Sequence, residues 1–392
     1  MRLTSEELNK IMKQENVDRL WSWSRVNCFM TSPYEYFLKY IKHIPEDRQD
    51  CIYATTGGLA HNILEKLYGN EIKYEEMDNL FEDSWTTSFN IAGLKFDRND
   101  EEKNQRIADG YYDNLKHFFN NHCMIENKVD VERFIKIRIN NSVFQGYIDA
   151  IFKDNDGNYN IIDFKTSTKY TGKKVEEMSG QLVIYAIGLH QAGVPLDKIK
   201  ICWNFLKYVT IQYQQKKGTV KTREVERCKI GESLQSNAKM WLKDAGYNVD
   251  EYLKLLLDTN SIDCLPDDVK EKYIISDCYV YVPLTEKLVN KWINEISATI
   301  KDIELREKDY AETNNEKIFW DTEESVKAEN YYFSTLCGYS ANLHKPYKEY
   351  LEKLDAAKKG EDLFGGVGRN VEAEVSNSNS KDVDLSWLDE LD

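Results

Sequence analysis

No two cysteines of this chain stand in a C-x-x-C spacing. The eight present are scattered singly at 28, 51, 123, 202, 228, 264, 278 and 337, a pattern that argues against a disulfide framework and against a structural zinc. No apolar run approaches the ~18–20 residues needed to cross a bilayer. The opening Met1-Arg2-Leu3-Thr4-Ser5-Glu6-Glu7 is polar, unlike a secretory signal. A cytoplasmic protein with no membrane contact is the expectation. There is no G-x-x-x-x-G-K-[ST], so the chain carries no P-loop motor, and neither internal repeats nor heptads long enough for a coiled coil occur.

Positive charge is also short. Lys and Arg number 52 against 67 Asp and Glu, a formal charge of −15, which is awkward for any protein that must hold a polyanion. Part of the deficit is local. Between Glu361 and Asp392 nine acidic residues face two basic ones, so this stretch holds −7 of the total. Two basic clusters remain: Lys169, Lys173 and Lys174, then Lys207, Lys216, Lys217, Lys221 and Arg223. A solvated lysine face is an equal reading of the second. The length of 392 residues, with 41% hydrophobic and 30% charged residues, fits a globular chain with a large core.

The densest chemical signal lies between 143 and 185. Residues 143–153 and 158–166 are rich in β-branched and aromatic types, and Asp154-Asn155-Asp156-Gly157-Asn158 between them favours a tight hairpin. Alternation along a strand puts Asp163 and Lys165 on one face and Phe164 on the other. Asp149, on the paired strand, can meet Asp163 at one end of the hairpin. Two adjacent carboxylates repel unless a cation sits between them, and the apolar flanks Ile148, Ala150, Ile161 and Ile162 make unpaired charge there costly. Spacing alone leaves two readings open, a metal site or ordinary exposed strand acids. A calcium loop at Asp154 fails, because Tyr159 and Lys165 stand where that loop needs Gly and Glu.

These residues resemble the RecB-like branch of the PD-(D/E)XK nuclease superfamily. Asp149 matches its first acid, Asp163-Phe164-Lys165 its (D/E)-x-K, and Gln181 with Tyr185 its Q-x-x-x-Y. Upstream, residues 57–65, with His61 and Glu65, match G-x-x-x-H-x-x-L-E. Ser22-Trp23-Ser24-Arg25 and the stretch 32–40 match the S-x-S-R and C-P-Y-x-F-x-x-K-Y elements. The likeness runs in order from about Ser22 to about Leu206, roughly half of the chain.

The resemblance implies an α/β, restriction-endonuclease-like core, a central mixed sheet flanked by helices, with an N-terminal helical block and an additional β-ribbon and helices. It implies that His61, Asp149, Asp163 and the Phe164 backbone carbonyl hold one Mg²⁺ or Mn²⁺, that Lys165 orients a water, and that Gln181 and Tyr185 act on the DNA backbone or hold the site. Glu65 is then placed to orient the imidazole or to bind a second ion. Glu132 is a further candidate acid, with a plain strand-edge glutamate as the alternative. Arg25, Lys169, Lys173 and Lys174 are the candidate DNA contacts. Some relatives, including AddB-type and CRISPR-associated exonucleases, clasp the domain with a four-cysteine iron–sulfur cluster. Here Ser32 replaces the first ligand and only Cys337 remains of the late set, so a lost cluster is expected, because serine is a poor substitute for thiolate.

The expected activity is metal-dependent DNA hydrolysis, as an exonuclease acting on single strands or ends in recombination, repair or replication. The alternatives are a non-catalytic DNA-binding or scaffold protein of the same fold, and an RNA-directed nuclease. Four parts are expected: an N-terminal helical part, 1–128; the catalytic core, 129–212; a β-ribbon and helical region, 213–358; and a disordered acidic tail, 359–392. The stretch 229–273 has no assigned role. Trp387 and Leu388, inside the acidic segment 382–392, suggest a docking peptide for a replication or recombination protein. A solubilising tail and a DNA-mimicking gate are the other readings. Such an enzyme would suit a phage or other mobile element.

Overall fold

Asp154 closes the hairpin around which the sheet is built. Its carboxylate accepts from the backbone and side-chain amides of Asn158, from the Asn160 amide and from the Lys200 ammonium, and Gly157 takes the left-handed turn at φ 81°. The structure, a computed structural model, describes residues 2–48 and 51–364. Its sheet contains β1 (Val129–Ile139), β2 (Ser142–Lys153), β3 (Tyr159–Lys165), β4 (Ile199–Gln214), β5 (Val220–Glu226) and β6 (Tyr273–Val282). The order is β1-β2-β3-β4-β5, with β6 also paired to β4. The β3–β4 pair is parallel and the others are antiparallel, giving the mixed α/β architecture expected of the sequence. A parallel pair needs a crossover, and the helices at 173–191 supply it.

In chain order the helices are α1 (Ser5–Glu15), α2 (Trp23–Thr31), α3 (Pro33–Tyr36), α4 (Ile52–Tyr68), α5 (Met77–Trp85), α6 (Glu101–Asn121), α7 (Lys173–Glu177) and α8 (Gly180–Gln191). After them come α9 (Ile230–Ala245), α10 (Val249–Thr259), α11 (Asp267–Lys270), α12 (Glu286–Thr313), α13 (Glu323–Ala328) and α14 (Lys345–Phe364). Residues 72–92 form no single helix but a turn at Tyr74–Glu76, α5 and a π-helical turn at Thr86–Ile91. The segment 173–191 is likewise divided, between α7 and α8.

Two units are distinguished. The described residues within Met1–Val26 and Ile52–Ile300 form one, and those within Asn27–Cys51 and Lys301–Asp392 the other. In the first unit α4, α5 and α6 cover one face of the sheet. Leu64, Phe81, Leu115 and Phe118 pack there against Ala150, Ile162, Phe164 and Leu206. Burying an aliphatic or aromatic side chain is worth ~1.5–3 kcal/mol, so this layer fixes where α4 and its His61 stand. A second core joins the far half of β4 to α9, α10 and α11 through Ile211, Tyr213, Leu234, Leu242 and Leu256. The stretch 229–273 thus builds a core of its own. Between Asn204 and Val209 the β4–β6 register shifts, so β4 serves β3 with its first half and β5 with its second.

In the second unit Ser32 caps α3, its Oγ accepting from the Glu35 N–H at 3.0 Å. The same hydroxyl donates to Asp321 at 2.9 Å and lies 3.1 Å from His344 Nε2, all three buried. Cys337 Sγ lies 3.5 Å from Glu35, which also accepts from the Tyr332 hydroxyl. Helix α14 continues to Phe364, past residue 359, where the acidic tail was expected to begin. The expected docking segment, 382–392, lies outside the described residues.

Candidate active site

The site stands where β2 and β3 part. Their last rung on this side is Ala150↔Ile162. Beyond it, the edge of β2 is taken by Trp21, whose N–H donates to Val143 O at 2.8 Å and whose carbonyl accepts from the Gln145 N–H at 2.9 Å. At the fork the Asp149 carboxylate accepts from the Phe164 N–H at 3.2 Å. The Phe164 carbonyl lies 2.7 Å from His61 Nε2, and His61 Nδ1 lies 3.5 Å from Asp149 Oδ2. An imidazole, a carboxylate and a strand-end carbonyl thus meet at one point, although His61 is 103 positions from Phe164. Alternation puts Asp163 and Lys165 on the other face of β3, with Lys165 Nζ 2.7 Å from Asp163 Oδ2.

Burial first, then the neighbouring Asp163, pushes the Asp149 carboxyl up to about 7, against the opposing pull of His61 and Lys165. For Lys165 burial acts to lower the proton affinity, but the Asp163 carboxylate outweighs it and holds the ammonium above its ordinary range. Asp163 is 1% exposed, and its Oδ2 accepts no aligned hydrogen bond despite the close ammonium. Buried carboxylates that share a site and lack full hydrogen bonding favour a cation between them. Hard oxygen donors with one imidazole suit a divalent ion of the Mg²⁺ or Mn²⁺ class. As the side chains stand, no three His, Cys, Asp or Glu among the described residues meet at metal-holding distances. Asp163 is drawn to Lys165, which leaves His61 and Asp149 together with the carbonyl.

Gln181 and Tyr185 occupy one face of α8, and the Gln181 amide donates to the Tyr185 hydroxyl at 3.1 Å. Burial raises the Tyr185 phenol above its usual range, and Asp149 and Asp163 add to the effect, so the hydroxyl remains a donor. The helix can approach this closely because three of its contacts use glycine, Gly146, Gly180 and Gly188. A Cβ on Gly146 would come 2.6 Å from the Tyr185 ring, and one on Gly180 would come 2.2 Å from Trp23 and 2.9 Å from Trp292. Trp23 and Trp292 meet edge to face at 5.5 Å, and the Trp292 indole N–H donates to Ser179 at 2.9 Å. This packing lies at the break between α7 and α8. Neither tryptophan is marked by the sequence pattern as a site residue.

Glu132 lies between the rungs Val131↔Ala150 and Arg133↔Ile148, level with Asp149. Its φ of 47° is a strained value for a non-glycine residue in a strand. Its carboxylate accepts from Arg2 Nε at 2.9 Å. The same guanidinium lies 5.3 Å from the Tyr147 ring centre, and Glu65 contributes to raising its proton affinity, after Glu132. Glu132 is therefore paired with an arginine that sequence reasoning missed.

The basic candidates divide. Lys169 is ion-paired with Glu224 at 2.6 Å, Lys173 is exposed and Lys174 half-buried. Arg25 lies over the Trp21 ring at 5.5 Å. In the second cluster Lys207 is buried, 3.7 Å from the Tyr111 ring centre, and burial lowers its ammonium to about 8. Lys216 pairs with Asp244 at 2.7 Å, and Arg223 donates to the Tyr213 hydroxyl at 2.8 Å. Lys207 is thus removed from any exposed basic face, and two of its companions are engaged within the fold.

The sequence matches the PD-(D/E)XK nuclease superfamily over residues 20–316, and the chain belongs to that superfamily. No curated protein matches it. Membership implies nuclease activity, and nucleases of this superfamily typically use divalent metals such as Mg²⁺. No helix among the described residues is long and apolar enough to cross a membrane.

Proposed function

We propose that this PD-(D/E)XK superfamily member is a RecB-like, metal-dependent deoxyribonuclease that hydrolyses DNA from strand ends. The observation that carries the reading is the meeting of His61, Asp149 and the Phe164 carbonyl at the end of β3, beside the Asp163–Lys165 pair. His61, Asp149, Asp163 and that carbonyl would hold one Mg²⁺ or Mn²⁺. An ion held there would supply polarisation of the scissile phosphate and a lowered pKa for a bound water.

The protein's own groups do the rest. Lys165, an obligate donor, orients the attacking water and stabilises charge that develops on phosphorus. Gln181 and Tyr185 present an amide and a phenol on one helix face to the phosphodiester backbone. Lys173 and Lys174 flank the path of the strand, and Arg25 makes a further contact with it. The tail at 382–392 serves as a docking peptide for a replication or recombination partner.

The test is digestion of end-labelled linear and closed circular DNA, single- and double-stranded, with Mg²⁺, Mn²⁺ or EDTA. Loss of label from linear DNA with survival of circles supports the reading. Cutting of circles makes the enzyme an endonuclease. Binding with no cleavage of any DNA in either metal leaves the scaffold alternative, and cleavage of RNA alone redirects the substrate.

A further inference from the structure

The chain does not pass straight from Lys165 into α7. Residues 166–172 turn back over the face that carries Asp163 and Lys165, and Tyr170 of this loop is half-buried there. On β4 the parallel partners of Asp163 and Lys165 are Trp203 and Phe205, so these four side chains share one face. The Tyr170 ring stands edge-on to both aromatics, 5.0 Å from Trp203 at 85° and 5.2 Å from Phe205 at 86°. Trp203 and Phe205 are themselves buried, so the ring rests on a fixed floor. The loop is tied down beside it by the Lys169–Glu224 ion pair and leaves through Gly172 at φ 54°. Burial raises the Tyr170 phenol above its ordinary range, with Lys165 opposing the shift and Asp163 adding to it.

A lysine carries a flexible four-carbon stem, and holding it in one rotamer has an entropic cost. The Asp163 contact alone fixes only the tip. We propose that Tyr170 is a positioning residue for Lys165, its ring braced on Trp203 and Phe205 so as to wall the ammonium against Asp163. The ring carries this role and the hydroxyl does not. Its consequence for turnover rests on the nuclease reading above, whereas its consequence for Lys165 itself does not.

The experiment pairs two measurements on the full chain and on Tyr170→Leu and Tyr170→Phe. Trace acetylation of the DNA-free protein, read by peptide mass spectrometry, compares Lys165 with the exposed Lys173. Steady-state cleavage gives kcat and KM. In Tyr170→Leu, Lys165 should label several-fold faster relative to Lys173, and kcat should fall about tenfold or more with KM within about twofold. Tyr170→Phe should match the wild type in both. An unchanged labelling ratio in Tyr170→Leu overturns the proposal, as does a rise in KM alone, which would mark a substrate contact. A Tyr170→Phe protein as impaired as Tyr170→Leu also overturns it. If Tyr170→Leu does not fold, Phe205→Leu, which loosens the floor under an intact Tyr170, must give the same gain in labelling. Should the wild type cleave nothing, the nuclease reading fails while the labelling result still decides the role of Tyr170.

Discussion

Gly146 lies under Tyr185 so closely that one added carbon would come 2.6 Å from the ring. Gly146 is three residues from Asp149 on β2, and Tyr185 bonds Gln181 on α8, so this contact sets the gap between α8 and β2. Gly146→Ala should cost about 1–3 kcal/mol of stability through overpacking and should slow cleavage by displacing α8. Thermal denaturation and a rate measurement check both. A variant with wild-type melting and turnover would show that the close approach has no bearing on the site.

The pH dependence of stability should carry the mark of Asp149. Its folded proton affinity is raised, by burial and then by Asp163, so between the unfolded value near 4 and about 7 the folded state binds more protons. Stability of the metal-free protein therefore falls as pH rises through that window. Asp149→Asn should remove that part of the slope and stabilise the metal-free protein at pH 8 by roughly 1 kcal/mol or more. Added Mn²⁺ should stabilise the wild type at pH 8 and have far less effect on the variant. A metal-free wild type that gains stability from pH 5 to pH 8 would contradict the assignment.

Helix α1 is held on the sheet edge chiefly by charge. None of its residues is fully buried. Near its start Arg2 pairs with Glu132 at 2.9 Å, and at its end Glu15 pairs with Lys136 and Arg138 of β1. Such pairs are weak and screened by salt. Amide exchange in Ser5–Glu15 should accelerate between low salt and about 1 M salt, while β2 and β3 remain protected. Equal protection of α1 at both ionic strengths would mean that Leu8, Ile11 and Met12, which are only half-buried, hold it by packing.

The centre of the candidate site was legible for a local reason. A two-residue period in Asp163-Phe164-Lys165 sends the acid and the base to one face without any tertiary information. The hairpin turn at 154–158 fixes the β2–β3 register that brings Asp149 alongside. What stayed hidden depends on distant packing. Arg2 meets Glu132 across 130 positions, and nothing in the local pattern announces a strand glutamate with φ 47°. Trp23 and Trp292 meet only in the fold, where both press against Gly180. Lys207 reads as one of five basic residues, yet the register shift in β4 accompanies its burial against Tyr111. In the second unit, Ser32 reads as a replaced cysteine, and its partners Asp321 and His344 lie 289 and 312 residues away.

The most direct test compares the wild type with Lys165→Ala and Asp149→Asn in one set of assays. Cleavage of end-labelled DNA is followed with Mg²⁺, Mn²⁺ and EDTA, and Mn²⁺ binding is measured by calorimetry. The account predicts metal-dependent cleavage that is lost in both variants, with Mn²⁺ affinity kept in Lys165→Ala and weakened at least tenfold in Asp149→Asn, a loss of about 1.4 kcal/mol. Cleavage that survives in Lys165→Ala, or Mn²⁺ binding untouched by Asp149→Asn, would contradict it.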